Sequence, residues 1–300
     1  MIQNSLEFNW GKSSDTFHVG KGTITTKHEK INFLVKSPHE LVDEHPIELF
    51  PGFTDGINGT NRLTNAYAES GKLAITLSYP RSEHPEYVED PEGHKVNTGI
   101  LVLGAVRSIF PGLQEADAQG HSEGGSNASR ACLENPKEFR SLIVMGSGGL
   151  IENDTQLKIF KRALSNPQTF LRLGGHAITH PFHAFNLGIS TADYIFRNPS
   201  KATKEAARIA SADIRYRFPV LSLVAGIPNG ALQFENDSLF PLKLVKKSTN
   251  DGEIFDIFSV YPYSDATHIN PQIHPRTVAA HVLDMNQRLL EIKSKQTKVA

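Results

Sequence analysis

Cysteine is nearly absent from this chain of 300 residues: Cys132 stands alone. A single thiol excludes an intramolecular disulfide and a zinc site built on several cysteines. No excess of one charge is present either. Lys and Arg number 31 against 32 Asp and Glu, a formal net charge of −1. No overall field therefore draws the chain to nucleic acid or to an anionic membrane. Long apolar runs are missing too. The longest, "TGILVLGAVRSIF", is too short to span a bilayer and carries Arg107. The opening "MIQNSLEFNWGKSSDTF" has no basic stretch followed by an apolar one, so a cytoplasmic protein is expected. Repeats and low-complexity tracts are also lacking, and the length suits one large α/β domain with an insertion or two small domains.

What is there reads first as strands, then as strands alternating with helices. "GTITT" and "INFLVKS", separated by the polar "KHEK", predict an antiparallel hairpin at a sheet edge. "IELFPGF" and "LAITLSYP" are short apolar runs ending in turn residues, as buried parallel strands do. Helical spacing follows in "NGTNRLTNAYAESGK" and "VNTGILVLGAVRSIFPG". Next come "ADAQGHS" as a strand, "EGGSNASRACLENP" as a helix and "RSLIVMGSGG" as a strand. This alternation predicts an α/β class: a mostly parallel central sheet with helices on both faces.

From about residue 151 to 213 the pattern turns all-helical, in "TQLKIFKRALS", "QTFLRL", "TADYIFRN" and "KATKEAARIASAD". Strand character returns at "PVLSLVAG" and "IFDIFSVYP", and "PRTVAAHVLDMNQRLLEI" closes the chain as a helix. The expected organisation is a core of residues 1–150 and 214–300 with a helical cap inserted at 151–213. The long polar loop "YPRSEHPEYVEDPEGHKV" lies after the fourth strand.

Chemistry concentrates in "AQGHSEGGS". Gly120, Ser122 and Gly124 fill G-x-S-x-G, the signature of a strained strand-to-helix turn that lifts a serine hydroxyl clear of the backbone. A strand precedes it and a helix rich in small residues follows. "MGSGGL" puts Ser147 among glycines but lacks one at 145, so the pattern fails there.

On these residues the chain resembles the α/β-hydrolase fold superfamily. The resemblance implies a Ser-His-acid triad with no metal and no organic cofactor. It names Ser122 as nucleophile and the backbone N–H of Glu123 as one oxyanion donor. The second donor would come from "LFPGFTDG", where Gly52 matches, Pro51 replaces the usual histidine, and Phe53 or, second, Thr54 falls at the donor position. The general base is expected after the last strand, in "YPYSDATHINPQIHPRT". His268 fits that segment better than His274, which adjoins Pro275 at the helix start. For the acid, Asp237 in "DSLFP" keeps a carboxylate and the following proline, but it needs a longer loop than usual after "LVAG". Glu235 stands second and Asn229 third, while Glu152 and Asp154 offer an acid at the cap entrance.

The expected reaction is cleavage of a carboxylic ester or similar acyl bond through an acyl-enzyme, on a small and apolar acyl substrate. Alternatives with the same triad are C–C hydrolysis, acyl transfer and cofactor-free perhydrolysis. A non-catalytic binder on the same scaffold is the alternative from another class. His176, His180 and His183 have helical spacing, but Pro181 and the neighbouring glycines argue against a metal site. Phe170, Phe182, Phe185, Tyr194 and Phe196 make the cap aromatic-rich, which suits an apolar substrate.

Overall fold

The computed structural model describes residues 4–11, 13–53, 56–80, 89–165, 199–263 and 267–299. Among these, nine strands form one sheet: β1 (Ser5–Trp10), β2 (Phe17–Thr25), β3 (Lys30–Pro38), β4 (Ile47–Phe50), β5 (Ala74–Ser78), β6 (Ala116–His121), β7 (Phe139–Met145), β8 (Asn229–Phe234) and β9 (Ile257–Tyr261). Their spatial order is β1-β2-β3-β5-β4-β6-β7-β8-β9. The first four in that order pair antiparallel, and β5 through β9 form a continuous parallel sheet. In β4, β6 and β8 every residue is buried, as expected of strands covered on both faces.

The helices are α1 (Gly56–Glu69), α2 (Pro91–Ile109), α3 (Glu123–Glu134), α4 (Gln156–Ser165), α5 (Pro199–Ser211), α6 (Arg217–Leu223), α7 (Leu242–Ser248), α8 (Asn270–Ile273) and α9 (Pro275–Val299). On one face, Leu63, Ala66 and Tyr67 of α1 and Val278, Val282 and Met285 of α9 pack against Leu49, Ile143 and Leu232. On the other face, Val102 and Val106 of α2, Ala128 and Ala131 of α3, and Leu221 of α6 pack against Ile75, Ala118 and Val144. Among the described residues no helix is long and apolar enough to cross a membrane.

The chain leaves β4 through α1 to reach β5 on one side, then returns through α2 to β6 on the other side of β4. Such a reversal opens a crevice at the carboxyl ends of the two central strands. Ser122 follows β6 at that end, and "PGF" follows β4.

Three expectations are corrected. "PVLSLVAG" is not a strand: its first half lies in α6, and the strand is the next segment, "NGALQF". A short apolar run does not distinguish helix from strand by periodicity. The true strand was disguised by Asn229 and Gln233, whose burial is met by hydrogen bonds to the carbonyls of Phe218 and Phe240. Secondly, the hairpin β2–β3 is not at the edge, because β1 pairs outside it. Thirdly, α2 begins within the supposed loop, at Pro91, where Asp90 caps it by accepting from the Gly93 N–H at 3.0 Å.

Of residues 151–213, α4 and α5 are described. The segments "QTFLRL" and "TADYIFRN", the three histidines and the five aromatics lie outside the described residues. Helix α6 packs on α3 and β8 and so belongs to the layer that covers the sheet.

One core residue carries a pH-dependent cost. Glu48 of β4 is fully buried, and among the described residues neither carboxyl oxygen has a hydrogen-bond partner. Burial pushes its pKa well above the ordinary carboxylate value, so the folded protein keeps it neutral. The unfolded chain ionises near pH 4.3. Above that pH it binds fewer protons than the native state, and stability falls as pH rises toward the folded pKa. Glu48→Gln removes this loss. Its stability advantage over wild type is expected to grow as the pH rises above that of ionisation in the unfolded chain, by at most about 1.4 kcal/mol per pH unit, in urea titrations.

Candidate active site

Ser122 sits between β6 and α3 with φ 57° and ψ −121°. The other described non-glycine residues at positive φ are Asn153, Asn250 and Asp251, types that tolerate it more readily. At serine such a conformation costs about 1–3 kcal/mol and persists only where neighbours enforce it. Here the neighbours are hydrogen bonds. The Ser122 N–H donates to the Met145 carbonyl at 3.0 Å, and the Ser122 carbonyl accepts from the Gly125 and Gly148 N–H groups. The Ser147 hydroxyl donates to the same carbonyl at 3.2 Å. Ser147 is thus a buried brace for the turn.

The glycines allow backbones to touch. A Cβ at Gly120 would lie 2.2 Å from the Gly124 carbonyl oxygen, and one at Gly124 would lie 2.0 Å from that of Phe50. The loop after β4 therefore runs directly against the first turn of α3. Gly124→Ala is expected to lower stability by about 1–3 kcal/mol or prevent folding, read as a fall in melting temperature.

His268 lies before α8 and is buried. Its Nδ1 is 2.9 Å from Asp237 Oδ2. Asp237, 2% exposed, follows β8 by three residues. Its Oδ1 accepts the N–H groups of Leu239 and Phe240, each at 2.9 Å. Two backbone donors and an imidazole N–H thus hold one carboxylate. With its hydrogen on Nδ1, His268 presents Nε2 as the basic nitrogen.

His121, immediately before Ser122, links the two segments. Its Nε2 donates to the His268 carbonyl at 2.8 Å, and the two rings lie 4.8 Å apart between centroids. The Phe240 ring centroid lies 5.4 Å from that of the His268 ring.

The other candidate acids stand elsewhere. Glu235 is exposed. Asn229 opens β8, where its side chain donates to the Phe218 carbonyl and its N–H to Asp256. Glu152 is exposed with Arg215 at 3.4 Å, and Asp154 pairs with Arg162. His274 joins α8 to α9: its N–H bonds the Asn270 carbonyl and its carbonyl accepts from Val278. Of the two candidates for the second oxyanion donor, Phe53 is described and half-buried, and Thr54 lies outside the described residues.

A cavity of about 490 Å³ opens beside the elbow. Gly52, Phe53 and Glu123 form part of its wall, together with Phe33, Leu34, Ile57 and Tyr79. Ser122 is not in that wall, whereas the residue after it is. The wall is not purely apolar, since it also holds Lys95, Glu123 and Glu205. All three are buried. Lys95 Nζ lies 2.5 Å from Glu123 Oε1 and 3.1 Å from Glu205 Oε1. Burial lowers the Lys95 pKa, and the two carboxylates outweigh it, leaving the ammonium above the ordinary lysine value. Sequence reading missed Lys95 and His121. The available signal was that Lys95 falls on the buried stripe of α2 with Gly99, Val102 and Val106.

A strained serine at the end of a central parallel strand, with helices on both faces and a histidine loop before the last helix, defines the α/β-hydrolase fold. The chain has that fold. No family model and no curated protein matches the sequence. Among solved structures it is similar to a membrane phospholipase A described as a bacterial virulence factor, at 15% identity and TM-score 0.60, over 96% of this chain and 87% of that one. It is similar to a bromoperoxidase from Bacillus anthracis at 16% identity and TM-score 0.57, over 86% and 96%. A thermophilic esterase from Thermogutta terrifontis gives 15% identity and TM-score 0.53, over 90% and 98%. At such identities the likeness defines the fold and not the reaction.

Proposed function

We propose that this protein is a serine hydrolase that cleaves a carboxylic ester or similar acyl bond in a small molecule. One observation carries the reading: the strained elbow of Ser122 is tied through His121 to His268, whose Nδ1 bonds the buried Asp237. In this mechanism His268 Nε2 takes the Ser122 proton as Oγ attacks the acyl carbon. The imidazolium returns the proton to the leaving alcohol, and Asp237 offsets the imidazolium charge. The N–H groups of Glu123 and Phe53 receive the oxyanion. Water then deacylates the enzyme by the same steps in reverse roles. The acyl chain would lie along Phe33, Leu34, Phe53 and Ile57. Residues 151–213 would act as the cap, and the chain would work in the cytoplasm. The phospholipase and the esterase among the structural neighbours agree with this class of reaction.

A fluorophosphonate probe tests the reading directly. It is expected to modify Ser122, located by peptide mass spectrometry, and a p-nitrophenyl ester series from acetate to decanoate should give turnover. A folded protein that neither labels nor turns over, beside an active control hydrolase, overturns the proposal. Similarity to a bromoperoxidase makes cofactor-free perhydrolysis a second reading. Peroxide-dependent halogenation in acetate buffer would reveal it.

A further inference from the structure

Glu123 carries an electrostatic problem. In the proposed mechanism its N–H faces the oxyanion, yet its own side chain is a buried carboxylate in the same wall, only 8% exposed. Two negative charges in a site of low dielectric oppose one another far more than in water. One of them, moreover, exists only in the transition state and the tetrahedral intermediate. A carboxylate there would raise the barrier without weakening substrate binding.

Lys95 answers this. Its ammonium is buried, 2.5 Å from Glu123 Oε1, and stacked over the Tyr79 ring at 5.5 Å from the centroid. It also reaches Glu205 of α5 at 3.1 Å. Three helices, α2, α3 and α5, thus meet at one cation. The groups facing it are the two carboxylates and Tyr79, whose phenol burial keeps neutral by pushing its pKa well above the ordinary value. A lone buried Lys–Glu pair is often replaceable by apolar residues. A pair placed at a developing negative charge has a reason to be charged.

We propose that Lys95 is a positioning residue for the oxyanion site: its ammonium offsets the charge of the Glu123 side chain and anchors it, so that the Glu123 N–H stabilises the transition state against less opposition. Through Glu205 the same ammonium couples the docking of α5 to that site. The inference rests on the serine-hydrolase reading and deepens it.

The test uses the full-length protein with p-nitrophenyl acetate, beside fluorophosphonate labelling. Lys95→Met is expected to lower kcat roughly 10- to 100-fold with little change in KM, and to slow labelling of Ser122 in proportion. Lys95→Arg, which keeps the charge, recovers part of the loss. The decisive variant is Lys95→Met/Glu123→Gln. With the opposing carboxylate gone, its kcat exceeds that of Lys95→Met. Glu205→Gln, which leaves Lys95 to Glu123 alone and takes one carboxylate from the same wall, is expected to raise kcat. If Lys95→Met does not fold, Lys95→Gln and Lys95→Gln/Glu123→Gln take its place in the same comparison, and a double variant no faster than its single overturns the role of Lys95. An unchanged kcat in Lys95→Met overturns the role of Lys95, as does a double variant no faster than the single. Wild type that neither labels nor turns over overturns the hydrolase reading and this inference together. Wild type that does both, with Lys95→Met unaffected, overturns this inference alone.

Discussion

Ser122→Ala is expected to cut ester turnover by at least about 10⁴-fold while leaving the melting temperature within a few degrees of wild type. The two halves of this prediction come from different atoms. Activity depends on Oγ, which alone can form the acyl-enzyme in the proposed mechanism. Stability depends on the backbone, and alanine at φ 57° meets the same strain as serine. The hydrogen bonds that hold the turn are made by the Ser122 N–H and carbonyl, with Ser147 as an added brace, and all survive the substitution. The proposed oxyanion donors are backbone groups and also survive, so a small residual rate is expected rather than none. Burst-phase kinetics, labelling and thermal unfolding on the same preparation check it. A variant that retains more than a tenth of wild-type turnover would remove Ser122 from the mechanism.

Asp237→Asn is expected to lower kcat by about 10³–10⁴-fold. The reason lies in which oxygen does what. Asp237 Oδ1 accepts two backbone N–H groups, so an asparagine keeps its carbonyl oxygen there and turns its NH₂ toward His268. A donor facing Nδ1 drives the imidazole hydrogen to Nε2, where it can no longer accept the serine proton. Glu235→Ala, at an exposed position, is expected to change turnover by less than about threefold. Asn229→Ala should act on stability, because it abandons the buried Phe218 carbonyl that its side chain satisfies, at a cost of roughly 1–3 kcal/mol. Steady-state kinetics with urea unfolding separates these outcomes. Turnover that falls more in Asn229→Ala or Glu235→Ala than in Asp237→Asn would move the acid.

The elbow was legible because all its requirements are local. Five consecutive residues state that backbones must touch at Gly120 and Gly124, and the strand before and helix after lie directly alongside in sequence. The α/β class was legible for a related reason: buried parallel strands are short segments rich in apolar residues, and β4, β5 and β7 are such segments. At β8, where polar residues fill core positions and no motif marks the segment as one does after β6, the reading failed. Strand β8, "NGALQF", hides Asn and Gln in the core by pairing each with a main-chain carbonyl, and the apolar run before it was read as the strand instead. That error made Asp237 look remote from its strand, although it follows the strand by three residues.

The sequence by itself therefore determined the architecture and the position of one strained serine, since both are written in short-range patterns of size and polarity. Only the tertiary structure decided which carboxylate meets His268, that His121 bonds the carbonyl of that same histidine, and that Lys95 joins Glu123 to Glu205. These groups are brought together by the sheet order and by packing among separate helices. Which charges end up sharing one buried volume depends on where the whole chain folds, and no local pattern records it.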